Sequence, residues 1–382
     1  MKLDMMVETI LHLEVTPMKR SIITLALVLV VALLTGCAGT PVVYYSDCTC
    51  PTGAHAADPV ETTPVETTTP VESTPVAEGA VKTGVAIIAS AGESKSAGDA
   101  DGEAKYDASV VAVTVDDNGV IQSCVIDSIG TSVLFDVNGA IVSDLNAEIP
   151  TKNELGDAYN MKLYGNAVAE WYEQAAALAS FACGKTVEEL RAGAVDETGH
   201  AVDADLATSA TIYLGGYVAA IEKAVANAQH LGASAGDELK LAIVSSVDGS
   251  KNADAENAGL SELYTSVAAL TLKDGVITSC MIDAVQGKVN FDATGTVTSD
   301  LTAPFATKNE LGEGYGMKAW GGAIAEWNEQ AASFAAYITG KTPAEVAGIA
   351  VDETTKPTDA DLLTSVTIKI GDFQALVAKA CN

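Results

Sequence analysis

The hexapeptide Thr151-Lys152-Asn153-Glu154-Leu155-Gly156 returns unchanged as Thr307-Lys308-Asn309-Glu310-Leu311-Gly312. The same offset, 156 positions from 151 to 307, carries Gly119 onto Gly275, Cys124 onto Cys280, Asp127 onto Asp283 and Trp171 onto Trp327. It also carries Gly184 onto Gly340, Asp205 onto Asp361 and Thr211 onto Thr367, and no gap is needed across the unit. A chain written this way must solve one folding problem twice. The units run from about 82 to 228 and from about 238 to 382, each the size of an ordinary domain. Two autonomous domains are therefore expected.

Local patterns predict the content of each unit. Val85–Ile88 and Leu241–Val244 read as opening strands. Val111–Val115 alternates into Asp117-Asn118-Gly119 and resumes at Val120–Ile126, a hairpin signal repeated at Asp274-Gly275. Leu134-Phe135-Asp136 and 289–292 suggest a third strand, with further turns at Asn138-Gly139 and Thr294-Gly295. From Asn166 to Cys183, apolar residues at 168, 171, 175, 178 and 182 follow helical spacing, and Gly184 stands where a left-handed cap belongs. Thr186-Val-Glu-Glu189 and Thr342-Pro-Ala-Glu345 are capping boxes. Residues 210–214 and 366–370 alternate like strands, and Gly371-Asp372 opens a last amphipathic helix through Ala380. The expected fold class is α+β: two tandem homologous domains, each an antiparallel sheet with helices packed on one face.

Ahead of the units, Lys19 and Arg20 precede an apolar run from Ser21 to Leu34, then Thr35-Gly36-Cys37. A basic start, an apolar core and small residues at the cut make a secretory signal. The run falls short of the roughly 20 residues of a membrane span. Leu34-Thr35-Gly36-Cys37 resembles the bacterial lipobox, which implies cleavage after residue 36 and lipid on the Cys37 sulfur. Met18 by itself would open a conventional signal, so residues 1–17 lie upstream of an alternative start. Residues 37–81 read as a linker: Pro-Val-Glu recurs at 59, 64 and 70 among threonines, a composition that stays extended and unpacked. Cys48-Thr-Cys50, just before its Pro/Thr-rich stretch, reads as a metal or cross-linking pair, or as two exposed thiols without a structural role.

Charge excludes several functions. The chain carries 21 Lys+Arg against 51 Asp+Glu, a formal net charge of -30. Such a surface repels phosphate backbones and anionic lipid, so nucleic acid is not a partner and the expected membrane contact is the lipid anchor alone. Four His are too few for a His-based metal cluster. Walker, dinucleotide-binding, Gly-x-Ser-x-Gly and His-Glu-x-x-His motifs are absent from the sequence.

The loop Thr151–Lys162 and its twin Thr307–Lys318 are the richest in chemistry. Lys152, Tyr159 and Lys162 recur as Lys308, Tyr315 and Lys318, on Gly-punctuated segments. Lys suits an anion and Tyr a planar ring; the competing reading is a structural loop whose Lys and Glu cap the long helix. Glu170 and Glu173 (Glu326 and Glu329) read as an acid/base or cation pair, or as a solvated helix face. Trp171, Trp327, Cys124 and Cys280 read as core. Asp203-Ala-Asp205 lacks the rest of a calcium loop.

Two further features carry a resemblance. The hairpin Val113–Ile121 is similar to the strand–Asp-Gly–strand opening of the small FMN-binding domain of exported bacterial redox proteins. Asp205-Leu-Ala-Thr208-Ser209-Ala210-Thr211 and Asp361-Leu-Leu-Thr364-Ser365-Val366-Thr367 resemble that family's attachment motif, Asp-x-x-Ser/Thr-Gly-Ala-Thr/Ser. The resemblance implies FMN as cofactor, Thr211 or Thr367 as the attachment hydroxyl, and an extracytoplasmic redox partner. Ser209 and Ser365 depart from it by replacing the motif Gly, and Val366 replaces its Ala. The units also look like repeat-bearing lipoproteins of Firmicutes. The expected function is a membrane-anchored flavin- or small-ligand-binding module or electron carrier; the alternative is a structural or adhesive envelope lipoprotein without cofactor.

Overall fold

The computed structural model describes residues 79–381 apart from residue 166. The signal, Cys37, Cys48, Cys50 and the linker to residue 78 lie outside the described residues. In the first half, β1 (Lys82–Ser90), β2 (Gly102–Val115) and β3 (Ile121–Phe135) form an antiparallel sheet in that order. The helices α1 (Lys152–Leu155), α2 (Met161–Gly165), α3 (Trp171–Ala182), α4 (Val187–Gly193), α5 (Ala204–Ser209) and α6 (Gly215–Asn227) follow. The second half repeats the plan with β4 (Glu238–Ser246), β5 (Gly259–Lys273) and β6 (Val276–Phe291), again antiparallel in that order. Its helices are α7 (Lys308–Leu311), α8 (Met317–Gly321), α9 (Trp327–Ile338), α10 (Pro343–Ala347) and α11 (Gly371–Cys381). The α+β class and the sheet with helices on one face are as expected.

The two halves share a core. The face of each sheet turned away from its helices packs on the other sheet, in one core that includes Ile87, Val110, Ile129 and Phe135 with Ile243, Val267, Val285 and Phe291. Phe135 and Phe291 stack with centroids 4.0 Å apart and planes 2° from parallel. The Tyr106 hydroxyl, fully buried, donates to the Ser261 carbonyl at 2.8 Å. The helices cover the outer faces through two further cores, one per half. The layers therefore run helix, sheet, sheet, helix. Val110, Val111, Ala112 and Val113 are all 0% exposed because both faces of β2 are covered. Alternation there never separated core from solvent; it separated two cores.

Edges of the halves exchange contacts reciprocally. Ala97 N–H donates to the Gly295 carbonyl at 2.7 Å, and Ala253 N–H to the Gly139 carbonyl at 2.8 Å. Lys223 pairs with Glu310, and Lys379 with Glu154, each at 2.8 Å.

Strand register corrects the gap-free repeat. Gly102 pairs with Phe135, but Gly259 pairs with Phe291, so the second half has gained one residue before β5. It loses one at the next turn. There Asp274 (φ 52°) and Gly275 (φ 78°) make a two-residue turn of the primed type, where the first half uses Asp116–Gly119. Gly102 and Gly259 lie against the rings of Phe135 and Phe291, and a β-carbon at either would overlap the ring. The expected third strands are the far ends of β3 and β6. The expected strands at 210–214 and 366–370 are irregular segments, and the long helix starts at Trp171 rather than Asn166.

Candidate functional site

The repeated hexapeptide is fastened at its Thr, Asn and Glu positions. Thr307 caps α7 in a capping box with Glu310. Asn309 N–H donates to Asp283 Oδ1 at 3.0 Å, and its side-chain amide donates to the Ile282 carbonyl at 2.9 Å. Glu310 reaches across to Lys223 of the first half. Thr151, Asn153 and Glu154 repeat each of these contacts. Burial pushes the Asp283 carboxyl up to about 6, against hydrogen bonds from Thr307, Asn309 and Ala284. In the second half the lysine of the motif turns inward as well.

Lys308 is 4% exposed. Its ammonium donates to the Tyr264 hydroxyl at 3.0 Å and lies over the rings of Tyr264, Tyr315 and Trp327, at 4.5, 4.7 and 4.8 Å from their centroids. Burial pushes it down to about 8, while the carboxylates of Glu262, Asp372 and Asp283 favour the charged form. The ring faces favour that form too. These groups open onto a hollow of about 640 Å³, within the roughly 300–1,000 Å³ of small-molecule sites. Thr367, Phe373 and Asp372 line it with Lys356 and Lys369.

Of the residues expected from sequence, Lys308, Tyr315 and Thr367 therefore meet around one hollow. Lys318 does not join them; it pairs with Glu329 at 3.8 Å on the surface. In the first half, Lys152 stands 5.3 Å from the Tyr159 ring centroid and 5.2 Å from that of Trp171. Lys162 pairs with Glu173 at 3.6 Å. Thr211 N–H donates to Gln174 Oε1 at 2.8 Å, as Thr367 N–H does to Gln330 Oε1.

Those glutamines explain the segments misread as strands. Gln174 and Gln330 are fully buried. Each oxygen accepts two backbone N–H groups, from Thr211 and Ile212 or from Thr367 and Ile368, and each amide donates to a carbonyl before its helix. A side chain does there what a neighbouring strand would do. Glu170 and Glu326 are neither a solvated face nor an acid/base pair with Glu173 and Glu329. Both are buried, and each accepts the first N–H groups of the preceding short helix, Met161 and Lys162 or Met317 and Lys318. Asp203 caps α5 through Asp205 and Leu206 N–H.

The segment that resembles the flavin motif has its own local geometry. Ser365 has φ -129°, so the backbone at the motif's Gly position asks for no glycine here. The Thr367 hydroxyl, which would carry a phosphoester, donates instead to Gln330 Oε1 at 3.2 Å. Ring faces and three lysines fit a flat anion held without a covalent bond. Sequence reasoning missed Tyr264, Lys356, Lys369 and the inward turn of Asp372, and read Trp327 only as core. A polar Gln on the apolar stripe of a helix was the available signal for the clamp. Set beside protein-family models, curated proteins and solved structures, the chain matches none.

Proposed function

We propose that this chain is an extracytoplasmic lipoprotein, anchored at Cys37, whose second half binds a flat anionic small molecule in the Lys308 hollow. FMN is the ligand that the sequence resemblance names, and electron transfer to an extracytoplasmic redox partner is the role it implies. One observation carries the reading: a buried ammonium ringed by three aromatic faces at the base of a hollow that also holds Lys356, Lys369 and Thr367. Aromatic walls supply stacking area and the lysines supply charge for a phosphate or carboxylate.

The test is titration calorimetry of the purified chain with FMN and with riboflavin, which lacks the phosphate. FMN should bind more tightly, with the preference shrinking as salt rises. Lys308→Met should weaken FMN by about tenfold or more, as loss of a charge-assisted contact implies. A colourless protein that takes up neither compound, and gains no heat stability from either, sinks the reading. It favours instead the structural envelope protein in which the Lys308 cage serves only packing.

A further inference from the structure

The cysteines at equivalent places differ between the halves. Cys183 caps the C-terminus of α3 and donates its thiol to the Ala179 carbonyl at 3.4 Å. Gly184 (φ 80°) then turns the chain so that its N–H meets the Ile121 carbonyl at 2.8 Å, and Ile121 N–H meets the Lys185 carbonyl at 2.9 Å. These bonds stitch the helix end to β3 three residues before Cys124 (121 to 124). Cys124 packs on the helix-covered core of the first half, and the Cys183 sulfur lies against the Cys124 backbone N–H. In the second half, Ile277 makes the same two bonds to Gly340 and Lys341, and the matching residues Cys280 and Thr339 line one hollow. Thr339 repeats the Cys183 contact, to the Ala335 carbonyl at 3.0 Å. The stitch is common to both halves; only the first puts a thiol at both positions.

We propose that Cys124 and Cys183 are a disulfide pair, closed when the chain meets a disulfide oxidant. Both thiols are half-buried, and Cys183, at the end of α3, is assigned the first attack on the oxidant. Its thiolate attacks the oxidant's disulfide, forms a mixed disulfide and releases one oxidant thiol. Cys124 then attacks the Cys183 sulfur and releases the second. Two protein thiols lose two electrons and two protons, and the oxidant disulfide becomes two thiols. Burial raises both thiols above their ordinary range, so the bond forms most readily while the chain is still folding. The closed loop contains Lys152, Tyr159 and all of α3, and so ties the first half's aromatic lysine site to its sheet.

The full chain is denatured, reduced and refolded with oxidised glutathione; remaining thiols are then alkylated and the peptides mapped without reductant. The expected product links the Cys124 and Cys183 peptides, leaves Cys280 alkylated, and unfolds about 5 °C higher than the reduced protein. Cys183→Ser should abolish that shift, and Thr339→Cys should create a second link, to Cys280. Recovery of both Cys124 and Cys183 alkylated, or of Cys124 joined to any other cysteine, overturns the proposal. The assay needs no export, so an unlipidated Cys37 would sink the anchor without touching this pair.

Discussion

The two lysine sites are built on one plan and equipped differently. Lys152 and Lys308 occupy the same position of the same hexapeptide, each over the Trp that opens the long helix. Around Lys308 the second half adds Tyr264, Lys356, Lys369 and Asp372. At the corresponding positions the first half has Asp107, His200, Tyr213 and Gly216. Lys308 is buried, whereas Lys152 is half-buried. The lesson is that the motif holds the fold together, and the residues around it decide whether a charged hollow exists. A repeated sequence therefore marks the scaffold, and the differences mark the candidate chemistry.

The largest effect should come from separating the halves. Residues 79–236 alone would expose the sheet face that carries Ile87, Val110 and Phe135. That fragment should lack a cooperative melting transition and bind a hydrophobic dye, while the intact chain melts as one unit. An independently folded fragment would restore the two-domain picture.

Next, Gln330→Ala removes an oxygen that accepts two backbone N–H groups. The loss should be about 2–4 kcal/mol by chemical denaturation, and Gln174→Ala should match it. A large disparity would show that the clamp matters in one half only.

Acid titration sharpens the comparison further. The folded Asp283 carboxyl titrates at about 6 against an ordinary 3.8. The native state keeps a proton that the unfolded chain gives up, so this group lowers stability as pH rises from about 4 to 6. Its full cost is about 3 kcal/mol above that window. Asp283→Asn keeps an acceptor for Asn309 and should flatten that fall; Asp127 is shifted the same way, so Asp127→Asn tests the first half. An unchanged pH profile in Asp283→Asn would rule out the buried carboxyl as its source.

The smallest effect belongs to the reciprocal ion pairs. Lys223→Met and Lys379→Met should each cost about 0.2–1 kcal/mol, less in high salt. Equal costs would support a symmetric interface between the halves.

Much of this was legible along the chain. The capping boxes at Thr186 and Thr342, the cap at Gly184 and the turn at Asp274-Gly275 are set by groups a few residues apart, and each formed where the pattern predicted. The site was half legible. Lys308, Tyr315 and Thr367 could be named from repetition, but Tyr264 comes from a strand 44 residues away (264 to 308) and Asp372 from the last helix. Segment 210–214 alternates like a strand, yet Gln174, 37 residues earlier, takes its hydrogen bonds. No local period records such a partner.

The sequence by itself determined that one α+β unit is built twice, where its capping boxes and tight turns fall, and which residues recur. Those outcomes follow from contacts within a few turns of chain. Only the tertiary structure decided that the two sheets close on each other and that one lysine becomes buried beneath a charged rim. Burial depends on what covers a face, and here the cover comes from the other half or from elements far along the chain.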